Sequence, residues 1–110
     1  MATRVLVVDD DTQILRALRT SLRAQDYDVV VAPDGETALG LAATNDLDLV
    51  VLDLGLPDID GTEVIRRLRS WSRVPVIVLS VRESQEEKVR AFDLGADDYV
   101  TKPFGIEELL

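Results

Sequence analysis

Val5-Leu6-Val7-Val8-Asp9-Asp10-Asp11 is a short apolar burst that ends in three consecutive aspartates. A continuous run of this length, rich in β-branched residues and without polar alternation, reads as a strand buried on both faces. Similar bursts recur at Val29–Ala32, Leu49–Leu52, Val74–Leu79 and around Tyr99–Val100. Between them lie segments with helical spacing: Ile14, Leu18 and Leu22; Ala38, Leu41 and Ala42; Val64, Ile65 and Leu68; Val89 and Phe92. Ser84 with Glu87 three residues later makes a capping box for the fourth helix, and Gly95 stands where that helix should stop. Strands alternating with helices predict a doubly wound α/β domain of (βα)5 type. It has a five-stranded parallel sheet, right-handed crossovers and helices on both faces. The chain ends at Glu107-Glu108-Leu109-Leu110, about one turn into a fifth helix, so that helix is expected to be truncated.

The 110 residues are 46% hydrophobic, enough for one domain with a buried core and outside the composition of a disordered chain. No apolar run approaches the roughly 20 residues that span a bilayer, and the N-terminus lacks a signal-peptide pattern, so a cytoplasmic location without membrane contact is expected. Cysteine and histidine are both absent, which excludes disulfides, thiol nucleophiles and histidine-based catalysis. The formal charge of −9 repels phosphate backbones, so this chain by itself is not expected to bind nucleic acid.

In doubly wound sheets, ligands bind at the carboxyl ends of the strands. The first strand ends in Asp9-Asp10-Asp11, the third in Asp53 and the fourth in Ser80, and the fifth is followed by Lys102. Singly, each has an ordinary explanation. Asp11 caps the next helix, Asp53 is a loop acid, Ser80 is a turn hydroxyl, Lys102 is a surface cation and Tyr99 is packing. Together they converge on one edge of the sheet. Crowded carboxylates call for a cation, and the hard ion suited to one or two carboxylates plus phosphate oxygens is Mg²⁺. A carboxylate nucleophile, a divalent ion, a lysine and a hydroxyl make a phosphoryl-transfer site. Asp53 is the expected attacker. Asp10 is expected to hold the metal directly, Asp9 directly or through water, and the backbone carbonyl of Gly55 to supply a third oxygen, with Lys102 on a phosphoryl oxygen.

The motifs Val-Val-Asp9-Asp10-Asp11, Leu-Asp53-Leu-Gly-Leu-Pro57-Asp-Ile-Asp-Gly61, Leu-Ser80 and Gly95-Ala-Asp-Asp-Tyr99-Val-Thr-Lys102-Pro103-Phe104 together resemble the response-regulator receiver domains, with their CheY-like, flavodoxin-type fold. The resemblance covers essentially the whole chain. It implies phosphorylation at Asp53 by a sensor histidine kinase. It also implies a metal site at Asp9, Asp10 and Asp53, an active-site Lys102, a switch pair of Ser80 and Tyr99, and a cis peptide before Pro103. Such a domain catalyses its own phosphorylation and dephosphorylation rather than turning over a substrate. The same motifs are similar to the OmpR and PhoB class and, within it, to regulators of potassium-transport genes. That similarity implies a winged-helix DNA-binding domain beyond residue 110. It also implies homodimers formed through helix four, strand five and helix five, with Lys88, Asp97 and Glu108 on the pairing face.

Two other readings compete. Asp58-Ile-Asp60-Gly61-Thr62 matches the Asp-x-Asp-Gly-Thr signature of aspartate-nucleophile phosphatases, although Gly55-Leu56-Pro57 separates it from the preceding strand. A receiver-like module that works without phosphate would lack an acidic, lysine or hydroxyl residue of the site, and none is missing. Neither nucleotide-binding glycine loop is present.

Overall fold

The computed structural model describes residues 2–81 and 84–102, in the order β1 (Arg4–Val8), α1 (Thr12–Ala24), β2 (Asp28–Ala32), α2 (Gly35–Thr44), β3 (Leu49–Asp53), α3 (Gly61–Arg69), β4 (Val76–Ser80), α4 (Gln85–Leu94) and β5 (Asp98–Thr101). All five strands are parallel, in the order β2-β1-β3-β4-β5. The expected fifth helix, Glu108 and the peptide before Pro103 lie outside the described residues.

Alternate residues of each strand face opposite layers, so one sheet feeds two cores. Leu6, Val8, Val50, Leu52, Val76 and Val78 pack with the helical side chains Ala38, Val64, Ile65, Leu68 and Ala91 of α2, α3 and α4. Val5, Val7, Val51, Leu79 and Val100 pack with Leu15, Leu18 and Leu22 of α1. Each large apolar side chain buried this way contributes about 1.5–3 kcal/mol. The chain leaves β1 for β2 on one side and returns to β3 on the other. The crevice at the carboxyl ends of β1 and β3 is therefore the switch point where such sheets bind ligands.

The helix ends follow the sequence. Asp11 Oδ1 accepts from the backbone N–H of Gln13 (2.9 Å) and Ile14 (3.4 Å), and Ser84 Oγ accepts from that of Glu87 at 3.4 Å. Gly95 ends α4 with φ of 116°, a left-handed conformation that favours glycine. Two details differ from expectation. β4 begins at Val76 rather than Val74, because Pro75 has no N–H to give the ladder; its carbonyl still accepts from Val50 at 2.9 Å. Val89 and Phe92, which mark the spacing of α4, are themselves exposed. The helix seats through Ala91, with Leu94 partly buried beside it. Small residues on the packed side leave a weak apolar stripe, so spacing identified the helix but not its buried face.

Candidate functional site

Asp9 follows the last paired residue of β1, and its backbone N–H still reaches Ala32 O at 3.1 Å. That bond turns the side chain inward, where it is 1% exposed. One carboxylate oxygen accepts from the Asp11 N–H (2.9 Å), and the other accepts from the Lys102 ammonium (2.9 Å). Asp53 is the last residue of β3, paired in register with Leu79, and is 7% exposed. Its Oδ1 accepts from the same Lys102 ammonium at 3.3 Å. Asp10 is exposed at the rim, and one carboxylate oxygen from each of Asp9, Asp10 and Asp53 lies within 4.8 Å of the others. Ser80, 2% exposed, ends β4, and its carbonyl accepts the Lys102 backbone N–H at 2.8 Å, which holds the lysine beside the strand ends.

The electrostatics follow from this crowding. Burial first, and then the neighbouring Asp9 carboxylate, push Asp53 above the usual carboxylate range; Lys102 and the Gly55 backbone amide work in the opposite sense. Burial acts to lower the Lys102 ammonium, but its bonds and charge contacts with Asp9 and Asp53 outweigh it, so Lys102 is held above the ordinary lysine value. Three carboxylates and one ammonium leave an uncompensated charge of about two negative units in a crevice, and hard oxygen donors at this spacing fit a divalent cation. The site combines an acidic cluster that fits a divalent cation, a shielded carboxylate and a fixed positive group, an arrangement suited to accepting a phosphoryl group.

Close backbone approach below the site explains Gly61. A Cβ there would stand 2.7 Å from both Asp53 O and Leu54 Cα, and the Gly61 N–H donates to Leu54 O at 2.9 Å. Asp60 caps α3 by accepting from Thr62 N (2.9 Å) and Thr62 Oγ1 (2.8 Å). Asp58 accepts from Gly35 N and Glu36 N, both at 2.8 Å. The Asp-x-Asp-Gly-Thr run therefore holds helix ends, Asp58 at α2 and Asp60 at α3.

Tyr99 lies in β5 opposite Val78 and is 8% exposed, with the Lys88 ammonium 5.6 Å from its ring centroid. Asp97, expected on a pairing face, has partners within its own chain: its Oδ2 accepts from Val76 N (2.8 Å) and Arg69 Nη2 (3.2 Å). Sequence reasoning missed the Arg69 contacts altogether. The guanidinium also donates to Gly95 O at 2.8 and 3.1 Å and to Ser72 O at 3.2 Å. No local signal marks these contacts, since a basic residue in the last turn of a helix is ordinary.

No described helix is long and apolar enough to cross a membrane. The response regulator receiver domain family model matches residues 5–110. The transcriptional regulatory protein KdpE of Mycobacterium tuberculosis is 56% identical over 108 residues, covering 98% of this chain and 48% of that protein. The KDP operon transcriptional regulatory protein KdpE of Escherichia coli is 54% identical over 107 residues, covering 97% and 48%. The chain thus spans about half the length of the curated relatives it matches. A crystal structure of a response regulator protein from Burkholderia pseudomallei, with a phosphorylated aspartic acid, a calcium ion and citrate, superposes with a TM-score of 0.92 at 29% identity, covering 97% of this chain and 64% of that one. With a five-stranded parallel fold, an acidic crevice that fits a divalent cation and a family match over nearly its full length, the chain belongs to the response-regulator receiver domains, whose chemistry is phosphorylation of an aspartate rather than turnover of a substrate.

Proposed function

We propose that Asp53 is the phosphoacceptor of a two-component switch, supplied by a sensor histidine kinase. The observation that carries this reading is the single lysine ammonium shared by Asp53 and Asp9 in a crevice that also holds Asp10. An Asp53 carboxylate oxygen bonds to phosphorus as the bond from phosphorus to the donor nitrogen breaks, and the donor imidazole leaves with that electron pair. Asp9, Asp10, Asp53 and the Gly55 carbonyl would hold Mg²⁺, which would supply charge neutralisation for the phosphoryl oxygens. Lys102 moves from its carboxylate partners to a phosphoryl oxygen. The Ser80 hydroxyl follows the phosphoryl group, the loop after it moves, and Tyr99 in β5 changes between exposed and inward rotamers.

The remaining half of the relatives' length fits a C-terminal winged-helix DNA-binding domain. The similarity to the two KdpE proteins supports control of potassium-transport genes. Lys88, Asp97 and Glu108 are proposed for a homodimer face, and a cytoplasmic location follows from the partners.

The test is intact mass after incubation with acetyl phosphate, with and without Mg²⁺. One added phosphoryl group on the native chain, dependent on Mg²⁺ and absent from Asp53→Asn, is expected. Lys102→Ala should slow labelling by about 10²-fold. Equal labelling of Asp53→Asn and native chain would assign the acceptor elsewhere. No labelling of a folded native chain, beside a receiver that labels, would favour a phosphate-independent module.

A further inference from the structure

Residues 54–60 carry the chain from the proposed phosphoacceptor into α3; Leu56 and Ile59 pack against the core, and three hydrogen-bonded anchors hold the backbone. At one end Leu54 O accepts both Leu56 N (3.0 Å) and Gly61 N (2.9 Å), which closes a tight turn around Gly55. At the other end Asp60 caps α3. The third anchor is remote. The Asp58 carboxylate crosses to α2 and takes the backbone N–H of Gly35 on one oxygen and that of Glu36 on the other, both at 2.8 Å. These are first-turn donors without partners inside their own helix. The residue that caps α2 locally, Asp34, is occupied with Thr37 N at 2.7 Å.

The fit around this anchor is close. Gly35 is buried, and a Cβ on it would stand 2.5 Å from Ile59 Cγ1 and 2.9 Å from Val64 Cγ2, so the absence of a side chain lets α2 meet the loop. The Asp58 carboxyl is held below the usual carboxylate range by the Gly35 and then the Glu36 amide, so it stays ionised and accepts both bonds at neutral pH. A separate tie to the first turn of α2, from Arg67 Nη1 of α3 to Glu36 Oε1 at 3.0 Å, is exposed and starts from the helix rather than from the loop.

We infer that Asp58 is a positioning residue for the phosphoacceptor site, and that its bridge to the N-terminus of α2 fixes the backbone of Gly55 beside Asp53. Gly55 is the exposed centre of the loop, and the position of its missing Cβ is 3.8 Å from Asp53 Oδ2. Without the Asp58 bridge the loop keeps its two hydrogen-bonded ends and the packing of Leu56 and Ile59 against the core, and the exposed Gly55 gains freedom to move relative to the carboxylates. This inference rests on the proposed role of Asp53 and Gly55, and its test separates the two.

Two measurements on the native chain, Asp58→Asn, Asp58→Ala and Arg67→Ala decide it. The first is amide hydrogen exchange at Gly55 and Leu56, which needs no phosphorylation. The second is the Mg²⁺ concentration for half-maximal labelling by acetyl phosphate. Asp58→Ala should speed exchange at Gly55 and Leu56 and raise the half-maximal Mg²⁺ about ten-fold, as expected when a residue supporting a metal ligand is lost. Asp58→Asn keeps one acceptor oxygen and should fall between Asp58→Ala and the native chain, whereas Arg67→Ala should match the native chain in both. If Asp58→Ala fails to fold, Asp58→Asn decides. Unchanged exchange at Gly55 and Leu56 in the folded variants overturns the inference, whether or not the chain labels. Faster exchange with unchanged Mg²⁺ dependence also overturns it. Faster exchange in a family of proteins that never label would retain the bridge as a loop anchor, but overturn both its role at a phosphoacceptor site and the reading of Asp53.

Discussion

Asp53 carries a carboxylate where little water reaches it, next to a second carboxylate, and the Lys102 ammonium is shared by both. Burial and Asp9 raise its folded value above the unfolded one, so the folded chain holds this proton more tightly than the unfolded chain does. The stability that this group contributes is fully present at pH below its ordinary value and is lost as pH rises through the raised folded value. At neutral pH, with divalent ions chelated, the folded protein is therefore weakened by the proposed phosphoacceptor. Asp53→Asn keeps the shape and removes the charge, so in chelator its Tm should exceed that of the native chain at pH 7, with the gap narrowing as the pH falls into the carboxylate range. Thermal melts at a series of pH values check this; a lower Tm for Asp53→Asn at pH 7 would contradict it.

Elements meet in this fold partly through polar ties that cross between helices. The Arg69 guanidinium, at the last turn of α3, reaches the carbonyl that ends α4 and the Asp97 carboxylate before β5. It also packs against the left-handed Gly95, where a Cβ would stand 2.7 Å from Arg69 Nε. Removing it leaves partly buried carbonyls of the turn without donors, a loss of about 1–3 kcal/mol. Arg69→Ala should lower the urea midpoint accordingly. Arg69→Lys should recover little of it, because one ammonium cannot reproduce a planar fork that bonds several acceptors at once. Full recovery by lysine would reduce the contact to simple charge. The helix-ending glycine was legible in the sequence from its place after a capped, periodic segment. The arginine that braces it was not, since its partners lie 26 and 28 positions away along the chain.

For the whole molecule, the acidic crevice sets a link between cation binding and stability. A divalent ion that binds the folded chain and not the unfolded one adds about 2.7 kcal/mol when present at a hundred times its dissociation constant. MgCl2 should therefore raise Tm well beyond NaCl of equal ionic strength, because the salt only screens the net charge of −9. Asp9→Asn should lose most of the specific increment. Equal responses to the two salts would mean that the cluster binds no divalent ion.

The sequence by itself determined the five strands, the helices between them and the convergence of Asp9, Asp10, Asp53, Ser80 and Lys102 at one sheet edge. Short β-branched runs and capped periodic segments are local signals, and the strand-end rule turns their alternation into a site. Tertiary structure alone decided that Lys102 bridges Asp9 and Asp53, contacts separated by 93 and 49 positions. It alone assigned Asp58 to the first turn of α2, made Gly61 a point of backbone contact, and turned Phe92 outward while Ala91 packs. Those outcomes depend on which surfaces the sheet brings within a few ångströms of one another, and spacing along the chain carries no record of that distance.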